Sequence, residues 1–80
     1  MMNVATLQKL LAEQFPDADL STLGDNPRVG SLAEWDSLGH FNFLLLVEER
    51  YSVRFSMDEM TEMKSLEDIA AALNSKGLAD

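Results

Sequence analysis

The sequence predicts an all-α fold, a four-helix bundle of three longer helices and a short third one, with a long loop between helices 1 and 2. Three observations point there. Apolar residues recur at helical spacing near the start, in the middle and at the end of the chain. Short polar residues that cap helices stand in front of those stretches. Only Val53 to Phe55 has strand character, and nothing else in the chain would pair with it. With 80 residues the chain makes one domain, residues 1–80, near the lower size at which an apolar core suffices without cross-links.

The first helix follows from Val4, Leu7, Leu10, Leu11 and Phe15, with Lys9, Glu13 and Gln14 between them. Asn3 is its cap, and Pro16 ends it because the residue before a proline avoids helical angles. From Pro16 to Asp36 turn formers dominate: Asp17, Asp19, Ser21, Gly24, Asp25, Asn26, Pro27, Gly30 and Ser31. A loop of about twenty residues is long for a compact domain. Leu20, Leu23, Val29, Leu32 and Trp35 are spread through it and would pin it to the core. The second helix runs from Ser37 to Tyr51 behind the cap Asp36, and Phe41 to Val47 make it apolar almost all round. A small domain covers one stripe of such a helix, so the loop or a partner protein must cover the rest. Ser56-Met57-Asp58-Glu59 is a capping box opening the short third helix, and Met57, Met60 and Met63 recur every three residues from there. Ser65 opens the last helix, Leu66, Ile69, Ala70 and Leu73 line it, and Gly77 stops it.

Composition narrows the function. Fourteen acids against six Lys and Arg give a net charge of −8. Such a surface repels phosphate backbones and anionic lipid headgroups, and attracts proteins with basic patches. Cysteine is absent, which removes disulfides and thiolate metal sites. Residues 1–11 lack the continuous apolar stretch of a signal peptide, and the longest apolar run, Phe43 to Val47, is too short to span a bilayer. A cytoplasmic protein without membrane insertion is the expectation.

Chemistry concentrates at Trp35-Asp36-Ser37-Leu38-Gly39-His40. Ser37 falls at a helix N-terminus, where backbone N–H groups lack intrahelical partners and an anion is favoured. Asp-Ser at a helix start is in itself an ordinary cap. Here, however, Asp36-Ser37-Leu38 stands near the middle of an acidic chain, after a long loop and before the most apolar helix. Val47-Glu48-Glu49-Arg50-Tyr51 closes that helix, and Val53-Arg54-Phe55-Ser56 precedes a short third one. With these features the sequence resembles the acyl carrier protein family over nearly the whole chain.

The resemblance implies that Ser37 carries 4′-phosphopantetheine, attached from coenzyme A by a phosphopantetheinyl transferase, whose thiol holds an acyl group as a thioester. Asp36 and Leu38 would be recognition residues, and Glu48 and Glu49 would dock to basic patches of acyl-loading, condensing and acyl-transfer enzymes. Fatty-acid, polyketide or envelope biosynthesis would be the setting, with the protein a monomer and not an enzyme. Phe41, Leu45, Met60 and Met63 are apolar residues suited either to an acyl cleft or partner contact, or to plain core packing. Two positions depart from the carrier of general fatty-acid synthesis. Gly39 stands where an acidic or polar residue is usual and Asn42 where an acid is, which points to a specialised, free-standing carrier with different partners. Gly-Gly near the serine, common in carriers of nonribosomal peptide synthesis, is replaced by Trp35-Asp36, so an aminoacyl or peptidyl cargo is less favoured.

The same residues touch on three other readings. Ser37 and His40 lie three apart on one helix, but no nucleophile elbow accompanies them, and His40 is expected at the surface with a pKa depressed by the helix start. Asp17-x-Asp19-x-Ser21 begins like a calcium loop, yet Thr22 stands where glycine is needed and Arg28 where the bidentate glutamate is needed. No metal site is expected. The remaining competitor is an acidic helical adaptor that binds proteins and carries no prosthetic group.

Overall fold

The computed structural model describes residues 3–24 and 26–78, with the backbone alone at residue 22. Asp25, assigned to the long loop by its sequence, lies outside them, as do the two residues at each end. The described residues form four α-helices and no strand: α1 Val4–Gln14, α2 Ser37–Tyr51, α3 Met57–Glu62 and α4 Leu66–Ser75. The fold is a small helical bundle.

Each helix begins where its cap predicts. The Asn3 side chain accepts from Thr6 N at 3.0 Å, and α1 stops at Gln14, two residues before Pro16. Ser56 and Glu59 make both hydrogen bonds of the capping box, and Ser65 accepts from Asp68 N. Gly77 follows α4 with φ +80°, a left-handed conformation that glycine adopts without penalty. The core gathers Leu7, Leu11, Phe43, Val47, Ile69 and Leu73 from α1, α2 and α4, with α1 packed against both of the others. Each such side chain stabilises the fold by roughly 1.5–3 kcal/mol on full burial.

The long loop is held on this core, as its apolar spacing predicts. Trp35 is fully buried, with Phe43 edge-on to it at 6.1 Å, and Leu32 is buried beside them. Leu20, Leu23 and Val29 are half-buried against the core. Two features have no sequence signal. A single 3₁₀ turn spans Leu20–Thr22, and the loop is hydrogen-bonded to the α3–α4 connection. There Val29 N donates to Lys64 O at 2.8 Å and Leu66 N donates to Pro27 O at 2.9 Å, flanking an isolated antiparallel bridge between Arg28 and Ser65.

The apolar second helix is not fully covered. His40, Phe43, Leu44 and Val47 enter the interior, while Leu38, Phe41 and Leu45 remain exposed at 68%, 44% and 42%. Those three lie at spacings of three and four, so they form one stripe. α3 buries none of its residues and lies at the surface.

Candidate functional site

Asp36 and Ser37 divide the work at the start of α2. Asp36 is the cap: its Oδ1 accepts from Gly39 N at 2.8 Å, and its carbonyl oxygen accepts from His40 N at 2.8 Å. Ser37, the first helical residue, is exposed, and its hydroxyl takes no part in the cap. The N–H groups of Ser37 and Leu38 precede the first intrahelical acceptors, so a negative group on the Ser37 oxygen would meet the positive end of the helix.

Gly39 has a packing role. A Cβ there would collide with the Glu34 carbonyl oxygen and approach the Phe15 ring to 3.1 Å. Glycine thus lets the first turn of α2 sit directly on the end of the loop.

The expectation that His40 is a surface residue is corrected: it is 7% exposed. Trp35 Nε1 donates to its Nδ1 at 2.9 Å, and its Nε2 lies 2.5 Å from Met63 O. An indole N–H only donates and a carbonyl only accepts, so Nδ1 is bare and Nε2 carries the proton. The pKa is lowered, foremost by burial rather than by the helix start, while the bond to Met63 acts the other way. Both ring nitrogens are engaged, so His40 is not available to take a proton from Ser37.

Ser37 opens on a cleft of about 480 Å³ between α2, α3 and the loop. Phe41 and Leu44 form one wall, Met57 and Met60 the other, and Val29 lies in the loop side. The polar lining comes from Ser37, His40, Thr61, Arg28 and Lys64. Thr61 Oγ1 is already bonded to Met57 O at 2.9 Å. No known family model, curated protein or solved structure matches the chain.

The cleft brings together some of the sequence-singled residues and leaves others out. Phe41 and Met60 line it. Met63 does not: helix α3 ends at Glu62, so Met63 leaves the methionine stripe and enters the core at 5% exposure. Met57 takes its place, 74% exposed at the start of α3. Leu45 lies instead in a more open depression at the far end of α2, with Glu48, Glu49 and Arg54. Leu38 is exposed beside Ser37, and Glu49 is exposed near the end of α2. Glu48 has an internal task, because its Oε2 accepts from Phe55 N at 2.7 Å and ties down the α2–α3 connection. Arg28, Lys64 and Thr61 carried no signal, since their place in the cleft depends on tertiary contacts.

Three features of the site are ones that a phosphopantetheine arm on Ser37 would need. The serine hydroxyl is free of the cap and exposed, helix N–H groups stand beside it, and an apolar space adjoins it. No described helix is long and apolar enough to cross a membrane.

Proposed function

We propose that the protein is a carrier that holds acyl intermediates on a 4′-phosphopantetheine arm at Ser37 and presents them to partner enzymes. The observation that supports this most is the exposed Ser37 hydroxyl, released from capping by Asp36 and placed at the mouth of an apolar cleft. When bound, the arm supplies a thiol that carries the acyl group as a thioester. Ser37 supplies the oxygen that takes the phosphopantetheinyl phosphorus from coenzyme A, giving up its proton as the nucleotide leaves. The first turn of α2 favours the resulting negative charge, and Phe41, Leu44, Met57 and Met60 offer an acyl chain about 0.8 kcal/mol for each methylene buried.

Asp36 and Leu38 flank the attachment point, and the stripe of Leu38, Phe41 and Leu45 beside Glu49 suits partner enzymes that combine apolar and basic surface. The cytoplasm, where coenzyme A and biosynthetic enzymes meet, is the proposed location. The same exposed stripe also favours a second reading, an adaptor that binds proteins and needs no arm.

Intact mass after incubation with coenzyme A and a broad-specificity phosphopantetheinyl transferase separates the two. The carrier reading expects a gain of one phosphopantetheine on the native chain and none on Ser37→Ala. A folded native chain that gains nothing, with the transferase active on another carrier, is the outcome for an adaptor.

A further inference from the structure

Arg28 and Lys64 are out of keeping with the molecule around them. The chain has six Lys and Arg against fourteen acids. Arg50 is paired with Glu13 and Lys76 with Glu59, the ion pairs found among the described residues. Two of the remaining four cations line a single cleft, and it is the apolar one beside Ser37. Their backbones are tied together by the Val29–Lys64 and Leu66–Pro27 hydrogen bonds, so the spacing of the two stems is set by the fold. One acid is tied to this corner: Asp68 Oδ2 accepts from Lys64 N at 3.1 Å, and Asp68 N donates to Ser65 Oγ in the α4 cap.

A wholly apolar occupant would leave this cationic corner unused. A free anion is a poor candidate, because a chain of charge −8 repels it. An anion held covalently at the mouth of the cleft differs, since tethering raises its local concentration to the millimolar range or beyond. Resting on the carrier reading above, we infer that Arg28 and Lys64 hold the far end of a cargo whose terminus is a carboxylate. The cargo class is a dicarboxylic acid joined to the arm through one carboxyl, its methylenes against Phe41, Met57 and Met60. The fixed anion of the arm itself, its phosphodiester, is the other source of negative charge, and the test separates the two.

The native chain and an Arg28→Gln/Lys64→Gln variant are loaded by a phosphopantetheinyl transferase from coenzyme A, pentanoyl-coenzyme A and glutaryl-coenzyme A, and each product is checked by mass. Amide NMR shifts and thermal midpoints are then compared at low salt. The inference expects the glutaryl form alone to move the amides of Arg28, Val29 and Lys64, and to melt about 2 °C or more above the pentanoyl form. In the double variant that difference disappears, while the methylene-induced shifts at Phe41 and Met60 persist. Equal behaviour of the glutaryl and pentanoyl forms overturns the inference, as does a difference that survives in the variant. Shifts at Arg28 and Lys64 with the bare arm assign the corner to the phosphodiester and overturn it too. Absence of any mass gain on the native chain instead removes the carrier reading, and this inference with it.

Discussion

Between Trp35 and Met63 the imidazole of His40 has a single protonation state open to it. Adding a proton at Nδ1 would set N–H against the indole N–H of Trp35 in a site 7% exposed. The folded pKa therefore lies below the ordinary value of 6.5. Between that lowered value and 6.5 the unfolded chain binds the proton and the folded chain does not, so stability is full above pH 6.5 and declines as pH falls. His40 is the one histidine, and the carboxylates held below their usual pKa by their partners, Glu13, Glu59 and Asp19, act only below about pH 4.5. Denaturant midpoints measured from pH 7.5 to 5 should fall for the native chain and stay level for His40→Ala. The variant should also lose roughly 2–4 kcal/mol at pH 7.5, from two buried hydrogen bonds and the cavity left behind. A native chain of constant stability over that range would contradict the lowered pKa of His40. The direction of this shift was legible in the sequence, from the helix start, but its main cause, burial, was not. A lone histidine between Gly39 and Phe41 has no signature of burial, and one of its partners is a main-chain carbonyl 23 residues away.

Helix α3 is the element whose stability depends least on packing. It has six residues, none buried, and is short of the length at which a helix persists in water unaided. What holds it is the Ser56–Glu59 box, with Lys76 of the α4 end bonded to Glu59 at 3.1 Å and lying 5.7 Å from the Phe55 ring. Such elements open locally far below the global unfolding energy. Ser56→Ala removes the cap and costs about 1 kcal/mol, close to a tenfold change in the opening constant. Hydrogen exchange at Met60 N and Met63 N, which donate to Ser56 O and Glu59 O, should quicken by about that factor, with core amides such as Val47 unchanged. Uniform quickening throughout the chain would show α3 to be part of the global unit instead. Helix boundaries were legible because caps are local: Asn3, Asp36, Ser56 and Ser65 each bond within three residues. The wall of the cleft was legible in part. A three-residue methionine spacing assumes that the helix continues, and α3 stops one residue before Met63.

At the scale of the whole molecule the unpaired charge decides the response to salt. The chain measures 31 × 23 × 19 Å, and at 0.01 M salt the screening length of about 30 Å lets nearly all of its charges act on one another. With a net charge of −8 and two described ion pairs, the balance is self-repulsion, which burdens the folded state more than the expanded one. At 0.15 M the screening length is about 8 Å, shorter than any dimension of the molecule. Repulsion across the bundle is then largely removed, whereas the Glu13–Arg50 contact at 2.7 Å loses little because its charges touch. The thermal midpoint should therefore rise by several degrees, on the order of 1 kcal/mol of stability, as sodium chloride goes from 0.01 to 0.15 M. Arg50→Gln, which takes the net charge to −9 by removing one cation, should melt lower at 0.01 M and recover more of the difference with salt. A native midpoint that falls on adding salt would mean that attractive contacts outweigh repulsion. The acidic surface would then be arranged in favourable pairs, and less of its charge would remain for steering a basic partner towards Ser37.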